Sequence, residues 1–487
     1  MNIRYKIGLE IHVQLVDTIK AFADEGYVYG AGPNRRTGFI SLALPGTLPI
    51  LNKVLLEKAY KMAKIANCKM NPIIRFDRKA YFYPDLPKAY QITQKDNPLG
   101  IEGVIPFPDS DGAIKNAFIE RIHMEEDSGK TLLSEDTIKL DYNRAGVALI
   151  EIVTVPCFTN LEDVISFLKY LQLLLQYYGI SDARMEKGEM RVDANLSISI
   201  GSNAWSLPSE IKNMNSFSYL RKAMIQLMNK LNATGEEAEH ERYTYSFDES
   251  SGGLRKLRGK EAPATYRYMP EPDLGHIRLE DVGANILNPP LRKIPVAIYT
   301  KMLEHSVSIE IAREIVYNLD LLNVWIETYK QVNCQVELSL LLVGPLRAIQ
   351  KKNPLHFRKS INKEDFAKNL VQLMNMIYDK KLNKNTARQK ILPLLFKREG
   401  NDIWKIVEER AWFLNNNDDS LFHSIDSLLN DYPKQVEAYQ NGKTGIAGFF
   451  MGKLMKKHGS RMDPKEIMEY LKASLEKYRP GDTKKSE

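Results

Sequence analysis

Fourteen residues, Ala117–Lys130 (AFIERIHMEEDSGK), bring acids, a histidine and cations together. In a β-strand, successive side chains alternate between two faces. Phe118, Ile122 and Met124 then share one face with Glu120, while Arg121, His123 and Glu125 share the other. Glu126 and Asp127 follow directly, before a turn through Ser128-Gly129 and the cation Lys130. A polar face that ends in consecutive acids calls for a counter-charge. A divalent metal carrying phosphates would supply it. The competing reading is an exposed charged edge followed by a turn, and this stretch alone leaves both open.

A second candidate is Ile7–Leu15, IGLEIHVQL. Leu9, Ile11, Val13 and Leu15 make an apolar face, and Glu10, His12 and Gln14 a polar one, the pattern of a half-buried strand. Glu10 and His12 are two residues apart, roughly 6.5–7 Å along a strand, so both could reach one cation. Arg191–Ile200 repeats the alternation, with Asp193, Asn195, Ser197 and Ser199 on its polar face; Glu210 and Lys212 follow in EIKNMNSF. Val147–Val155 is nearly all apolar, the signature of a buried strand. A lone Glu151 inside it must be paired or lie at a site, because an unpaired buried charge is costly.

These strands need connecting elements. Residues 20–52 are rich in Gly and Pro and form a loop region, held by packing around Phe22, Tyr27, Tyr29 and Phe39. Leu55–Ala66 has an amphipathic helical pattern. Phe76–Gln94, FDRKAYFYPDLPKAYQITQ, mixes Arg78, Lys79 and Lys88 with aromatics; Pro84 and Pro87 forbid a long helix, leaving an ordered loop. Thr159 and Glu162 have capping-box spacing ahead of a helix over Leu161–Tyr178. Another helix is expected over Tyr219–Leu231. From about residue 296 the chain is helix after helix, with breaks at Asn353-Pro354, Lys363-Glu364 and Asn415–Asp419, and a polar tail, RPGDTKKSE.

At 487 residues the chain holds more than one domain. Its 44% hydrophobic and 26% charged content is ordinary for a globular protein, and no apolar run approaches the ~18 residues of a membrane span. Cys68, Cys157 and Cys334 lie far apart, which favours a reducing, cytoplasmic compartment. The alternating N-terminus is no signal peptide. A net charge of +7 permits a nucleic-acid partner without requiring one.

Several chemistries lack their motifs. Gly129-Lys130-Thr131 and Gly442-Lys443-Thr444 resemble the end of a P-loop, but Met124 and Glu437 stand where the first glycine is needed. Gly30-Ala31-Gly32 fails as a dinucleotide loop because Arg35 takes the third glycine's place. Neither G-x-S-x-G nor H-E-x-x-H occurs. What remains is carboxylates, histidines and cations on neighbouring strands, which suits metal-assisted phosphoryl transfer. Mg²⁺ takes oxygen ligands and keeps several waters, so one or two carboxylates suffice. The residues alone support a possible Mg-nucleotide enzyme and no more.

A resemblance takes the reading further. IGLEIHVQL, PGTLPILN (45–52), FDRKAYFYPDLPKAYQITQ, RIHMEEDSGK, DYNRAGVALIEIVT, RVDANLS, EIKNMNSF and YRYMPEPDL occur in order, followed by YQNGKTGIAGFFMGKLMKK and DPKEIMEYLKASLEK. Together these blocks closely resemble the B subunits of the bacterial aspartyl/glutamyl-tRNA(Asn/Gln) amidotransferases, the GatB family. The resemblance implies an α+β architecture: a cradle domain of mixed antiparallel sheet over 1–293, an all-α domain over 294–412, a small all-α tail over 413–478 and a flexible end over 479–487. It implies that misacylated Glu-tRNA(Gln) or Asp-tRNA(Asn) is amidated. ATP phosphorylates the side-chain carboxylate, and ammonia from a glutaminase (amidase) A subunit then displaces phosphate; a small C subunit completes a heterotrimer.

By the same resemblance Glu10, His12 and Glu125 surround a Mg²⁺ ion, with Glu126 and Asp127 as further catalytic candidates. Arg78, Lys79 and Lys88 are candidates for the ATP phosphates, and Asp193, Asn195, Glu210 and Lys212 for the lining of the cradle. Lys443, Lys453, Lys456, Lys457 and Arg461 are candidates for tRNA, the middle three at helical i, i+3, i+4 spacing. Many family members hold zinc between two cysteine pairs near residues 20–42; this chain has no Cys or His in residues 16–52, so no zinc is expected. Ala80, Ala89, Ala148 and Thr265 stand where the family usually has Asn, Gly, Pro and Asp. These departures leave an alternative open: a tRNA-binding paralogue without the kinase step.

Overall fold

A computed structural model describes residues 3–16, 20–133, 137–201, 204–234, 243–259, 266–396, 402–414, 419–458 and 464–478. The chain divides into two compact units, Met1–Tyr299 and Thr300–Glu487. The first combines sheets with helices and the second is helical, an α+β protein.

In chain order the strands of the first unit begin with β1 (Ile3–Gln14), β2 (Lys69–Met70), β3 (Ile73–Arg75), β4 (Asp77–Ala80), β5 (Tyr90–Thr93), β6 (Gly100–Pro108), β7 (Ile114–Glu126) and β8 (Lys130–Leu133). They continue with β9 (Ile138–Asp141), β10 (Ala148–Thr154), β11 (Met190–Ile200), β12 (Ser209–Met214), β13 (Tyr243–Asp248), β14 (Gly253–Gly259), β15 (Met269–Pro270) and β16 (His276–Arg278). Nine of them form one sheet, in the order β14-β13-β12-β11-β1-β10-β7-β6-β2. The pairings are antiparallel except β12–β13, so the sheet is mixed.

One face of this sheet is the core. Ile7, Leu9, Ile11 and Val13 of β1, Ile150 and Ile152 of β10, and Val192, Ala194 and Leu196 of β11 are fully or almost fully buried. Three helices cover it. α1 (Lys53–Ile65) packs on β6 and β7, α2 (Leu161–Tyr177) on β6, and α3 (Phe217–Thr234) on β12 and β14. The opposite face carries the polar residues.

The structure changes four local expectations. First, β7 does not keep one phase. A bulge between its pairings Val153↔Arg121 and Thr154↔Ile119 adds one residue at Glu120. Ala117 and Ile119 therefore turn to the core, and Phe118 stands 47% exposed instead of joining Ile122 and Met124. Second, α2 is capped by Asn160, whose side chain accepts from the Asp163 N–H at 2.8 Å. Thr159 plays no such part, and Glu162 pairs with Arg221 at 2.8 Å. Third, Phe76–Gln94 is not all loop: β4 and β5 pair within it, and β15 adds a third strand.

Fourth, residues 20–52 are not held by four aromatics. Phe22 and Tyr27 are buried, with Phe22 edge-on to Phe76 at 5.2 Å, but Tyr29 is 54% and Phe39 72% exposed. Polar groups fix the segment instead. Lys20 is fully buried against Glu25 and Ser41, and the backbone of Ala21, Phe22 and Ile50 bonds across the loop. Asn34 and Arg36 tie it to Asp141 and Asn143. Leu44, Leu48 and Ile50 are exposed as well, so apolar packing is limited and hydrogen bonds supply the order.

Gly129, of the first Gly-Lys-Thr tripeptide, has a structural role. A Cβ there would meet the Asp85 carbonyl oxygen at 2.9 Å and that of Asp141 at 3.0 Å. The turn after β7 closes onto two other backbones and leaves no room for a side chain.

In the second unit, Asn353 ends one helix and caps the next, Pro354–Ile361, accepting from the His356 N–H at 3.1 Å; Glu364–Tyr378 follows. Pro345 sits in a π-turn, Leu342–Leu346, which accommodates its missing N–H. The four helices Asp419–Asp431, Pro433–Gln440, Ala447–His458 and Pro464–Lys477 share a buried cluster that includes Leu421, Ile425, Val436, Phe450, Leu454, Ile467 and Leu471. The expected breaks in residues 415–418, and the polar tail 479–487, lie outside the described residues.

Candidate active site

The polar face of the large sheet is organised by strand register. His12 on β1 lies opposite Arg191 on β11 and Glu151 on β10, and Glu151 lies opposite His123 on β7. Glu10 lies opposite Asp193. Two acid clusters result, each with its ligand atoms within 4.8 Å of one another: His12, Glu125 and Glu151; and Glu10, Asp193 and Glu210. The expected trio Glu10, His12 and Glu125 is thus divided, His12 and Glu125 in one cluster and Glu10 in the other. The residues two apart on β1 each meet acids of neighbouring strands.

In the first cluster His12 Nε2 is 3.4 Å from Glu125 Oε1 and 3.6 Å from Glu151 Oε2, and His123 Nε2 is 3.0 Å from Glu151 Oε2. All but His12 are buried. Burial by itself lowers the His12 pKa, but the carboxylates of Glu151, Glu125 and Asp193 outweigh it and raise it. Burial raises Glu125, with the neighbouring Glu151 adding to the effect. Glu151 goes the other way: burial opposes its ionisation, yet the two histidines hold it well below the usual carboxylate range. One acid is held ionised and its neighbour is disfavoured as an anion, which is what adjacent buried carboxylates do until a cation arrives.

The second cluster is supported by Asn195, whose Nδ2 donates to Glu10 Oε1 at 3.0 Å, and by Lys212, 3.3 Å from Glu210 and 3.8 Å from Asp193. Both clusters offer mostly carboxylate oxygen, a donor set that fits Mg²⁺. They border a cleft of about 750 Å³, whose lining includes Glu10, His12, Glu125, Asp127, Glu151, Asp193, Lys79 and Lys212.

The cation candidates separate. Lys79 lines the cleft, with its Nζ over the Tyr266 ring at 4.7 Å. Arg78 is turned away, forming a two-pronged pair with Glu271 (2.7 and 2.9 Å) and reaching Asp273. Lys88 pairs with buried Glu126, which also accepts from the Ile92 N–H at 2.9 Å. Neither Lys88 nor Glu126 is among the lining residues, so both sequence candidates are placed behind the site wall. Asp127 does line the cleft, clamped between Arg191 at 2.8 Å and Arg144; burial opposes its charge, but the two guanidiniums lower its pKa below the usual range.

The candidate residue set misses Glu151, His123, Arg121 and Arg191, all in the lining. Their signals are present in the sequence, as an acid inside an apolar strand and as the polar phase of two strands. In the second unit, Lys443 and Lys456 are exposed, and Lys453 donates to the Tyr432 hydroxyl at 2.8 Å while lying over the rings of Tyr432 and Phe449. Lys457 lies in the helix Ala447–His458, but its side chain, like the whole of Arg461, is outside the described residues.

The comparisons with known proteins bear on this geometry. A family profile described as the GatB/GatE catalytic domain matches residues 5–284, and one described as the GatB domain matches residues 327–475. The chain belongs to the GatB family. It is 35% identical to the B subunit of the aspartyl/glutamyl-tRNA(Asn/Gln) amidotransferase of Prochlorococcus marinus (strain MIT 9312), over 96% of this chain and 98% of that protein. It is 33% identical to the protein of that name from Clostridium novyi (strain NT), over 98% of this chain and 100% of the other. Among the residues that the resemblance marked as departures, Ala89 has φ +58°, a backbone conformation that favours glycine. Ala148 is buried at the start of β10, opposite Glu126, and Thr265 lies outside the described residues.

Proposed function

We propose that this chain is the B subunit of a tRNA-dependent amidotransferase. It converts misacylated Glu-tRNA(Gln) or Asp-tRNA(Asn) to the amide with ATP and ammonia. A carboxylate is a poor electrophile because its charge is delocalised and its leaving group would be oxide. Transfer of the γ-phosphoryl group to a carboxylate oxygen releases ADP and creates a leaving group. Ammonia then attacks the acyl carbon, phosphate departs with the electron pair, and a proton is lost as the amide forms.

The observation that carries this reading is the two acid clusters on one sheet face, bordering a cleft that Lys79 and Lys212 also line. His12, Glu125 and Glu151, and Glu10, Asp193 and Glu210, are the residues that would hold Mg²⁺. A bound Mg²⁺ there supplies charge neutralisation on phosphate oxygens. Lys79 stands where it can neutralise phosphate charge. Asp127 holds Arg191 at the cleft edge, and Asn195 orients Glu10. Nothing in the fold or the comparisons favours the paralogue without a kinase step.

The reaction calls for a source of ammonia and a misacylated tRNA; the family resemblance adds that the source is a glutaminase A subunit, that a small C subunit joins the complex, and that the setting is the cytoplasm. Among the described residues no helix is long and apolar enough to cross a membrane. Residues 413–478 are read as a tail domain that contacts tRNA through Lys443, Lys453, Lys456, Lys457 and Arg461. The shared apolar cluster of its helices supports its folding as a body, and its exposed cations support the contact.

The test is ADP release with charged tRNA and the partner proteins present. Glu125→Ala should lower turnover by at least a hundredfold, on the order of what loss of one transition-state stabiliser costs, with tRNA affinity preserved. Wild-type turnover in that variant would remove the assignment.

A further inference from the structure

Glu151 has a neighbour that stands outside the cluster it belongs to. His123 lies directly opposite Glu151 in the pairing of β7 with β10. Beyond the bulge at Glu120, Arg121, His123 and Glu125 alternate onto the polar face, and all three line the cleft. His123 is nevertheless only 4% exposed. It is not one of the three residues whose ligand atoms converge, His12, Glu125 and Glu151.

The two nitrogens of its ring have different surroundings. Nε2 is hydrogen-bonded to Glu151 Oε2 at 3.0 Å and lies 4.0 Å from Glu125 Oε2. Nδ1 is buried, with no hydrogen-bond partner among the described residues. A hydrogen on Nδ1 would be a buried donor without an acceptor, which is costly. The hydrogen therefore sits on Nε2 and is donated to Glu151.

That donor bears on how the cluster is arranged. Two buried carboxylates, Glu125 and Glu151, stand on either side of His12 Nε2, at 3.4 and 3.6 Å. As anions they repel each other, and a flexible glutamate relieves the repulsion by turning away. Thr93 Oγ1 reaches Glu125 Oε2 only at 3.5 Å, a long hydrogen bond. The shorter one from His123, on a ring fixed by burial, holds Glu151 in place. A carboxylate has about four acceptor positions, so one such bond leaves room for a cation.

We propose that His123 is a positioning residue: its Nε2–H orients Glu151 so that Glu151, Glu125 and His12 converge on a divalent cation, which His123 itself does not bind. This rests on the proposed reading of that cluster as a Mg²⁺ site.

The test measures Mn²⁺, in place of Mg²⁺, by electron paramagnetic resonance on the full chain in its assembled complex. The first cluster offers a nitrogen ligand, His12, and the second offers carboxylates alone, so nitrogen hyperfine coupling tells the two sites apart. His123→Ala should weaken the nitrogen-coupled site about 10- to 100-fold, the usual effect of losing a hydrogen bond to a metal-ligating group. The second site should be unchanged, which reports an intact fold. His123→Gln, whose amide N–H can replace the Nε2–H, should recover most of the affinity and keep the same nitrogen coupling. Full affinity in His123→Ala, or equal weakening of both sites, would overturn the proposal. Failure of His123→Gln to recover affinity, or a changed nitrogen coupling in it, would overturn it in favour of His123 as a ligand. Wild-type protein whose bound Mn²⁺ shows no nitrogen coupling would overturn the reading of the cluster on which the proposal rests.

Discussion

The polar face of the nine-stranded sheet and the surface of the last four helices use charge in different ways. On the sheet, Glu125, Glu151, Asp127 and His123 are buried, and each is met by a partner on the same or another strand. Their positions are set by backbone register, and a one-residue slip would turn every one of them to the opposite face. In the helical part, Lys456 and Lys443, the latter in the connection before the helix Ala447–His458, stand in solvent, and Lys453 is tethered to Tyr432 without leaving the surface. Charge on the sheet acts through geometry at short range and low dielectric. Charge on the helices acts through a field that salt screens. The first kind suits bond-making chemistry; the second suits attraction of a polyanion.

The largest expected effect sharpens the sheet side. Glu126→Ala leaves Lys88, which is mostly buried, without its partner and removes the acceptor of the Ile92 N–H. Breaking a buried pair in this way costs about 3–5 kcal/mol. Urea unfolding should show that loss, and Lys88→Met/Glu126→Leu should recover most of it. A Glu126→Ala protein of normal stability but without turnover would move this pair from the wall into the chemistry and blur the distinction.

Lys453→Glu/Lys456→Glu/Lys457→Glu addresses the helical side. Affinity for tRNA should fall about tenfold at low salt, and the slope of log affinity against log salt should shrink by roughly 0.7–0.9 for each phosphate interaction removed. Glutamine hydrolysis by the glutaminase partner without tRNA should be unaffected. Superimposable salt curves for mutant and wild type would mean that these lysines do not contribute a field to tRNA, and the contrast would fail.

The smallest effect lies just before β5. Ala89 has φ +58°, which a side chain disfavours by about 1–2 kcal/mol, partly offset by the greater unfolded-state freedom of glycine. Ala89→Gly should therefore raise stability by about 0.5–1 kcal/mol, read as a higher urea midpoint with an unchanged slope. A lower midpoint would show that the strain is relieved elsewhere.

Much of the sheet is legible in the sequence. The faces of β1 and β11 follow their alternation, and the buried Glu151 stands out as an acid in an apolar run. β7 is legible only in its second half. The bulge at Glu120 belongs to its pairing with β10, and nothing in the local spacing marks it. The order of residues 20–52 reads as aromatic packing in the sequence because its hydrogen-bond partners, Asp141 and Asn143, are about a hundred positions away.

The cations show the limit most clearly. Arg78, Lys79 and Lys88 are indistinguishable as residue types in one short stretch, yet only Lys79 of the three lines the cleft. Arg78 is taken by Glu271 and Lys88 by Glu126, partners supplied by other segments. By itself the sequence determined the α+β class, the polar strand faces and the family, because side-chain alternation and motif order are carried along the chain. Only the tertiary structure decided which acids converge and which cations remain available to them, because strand neighbours, bulges and ion pairs arise between segments far apart in sequence.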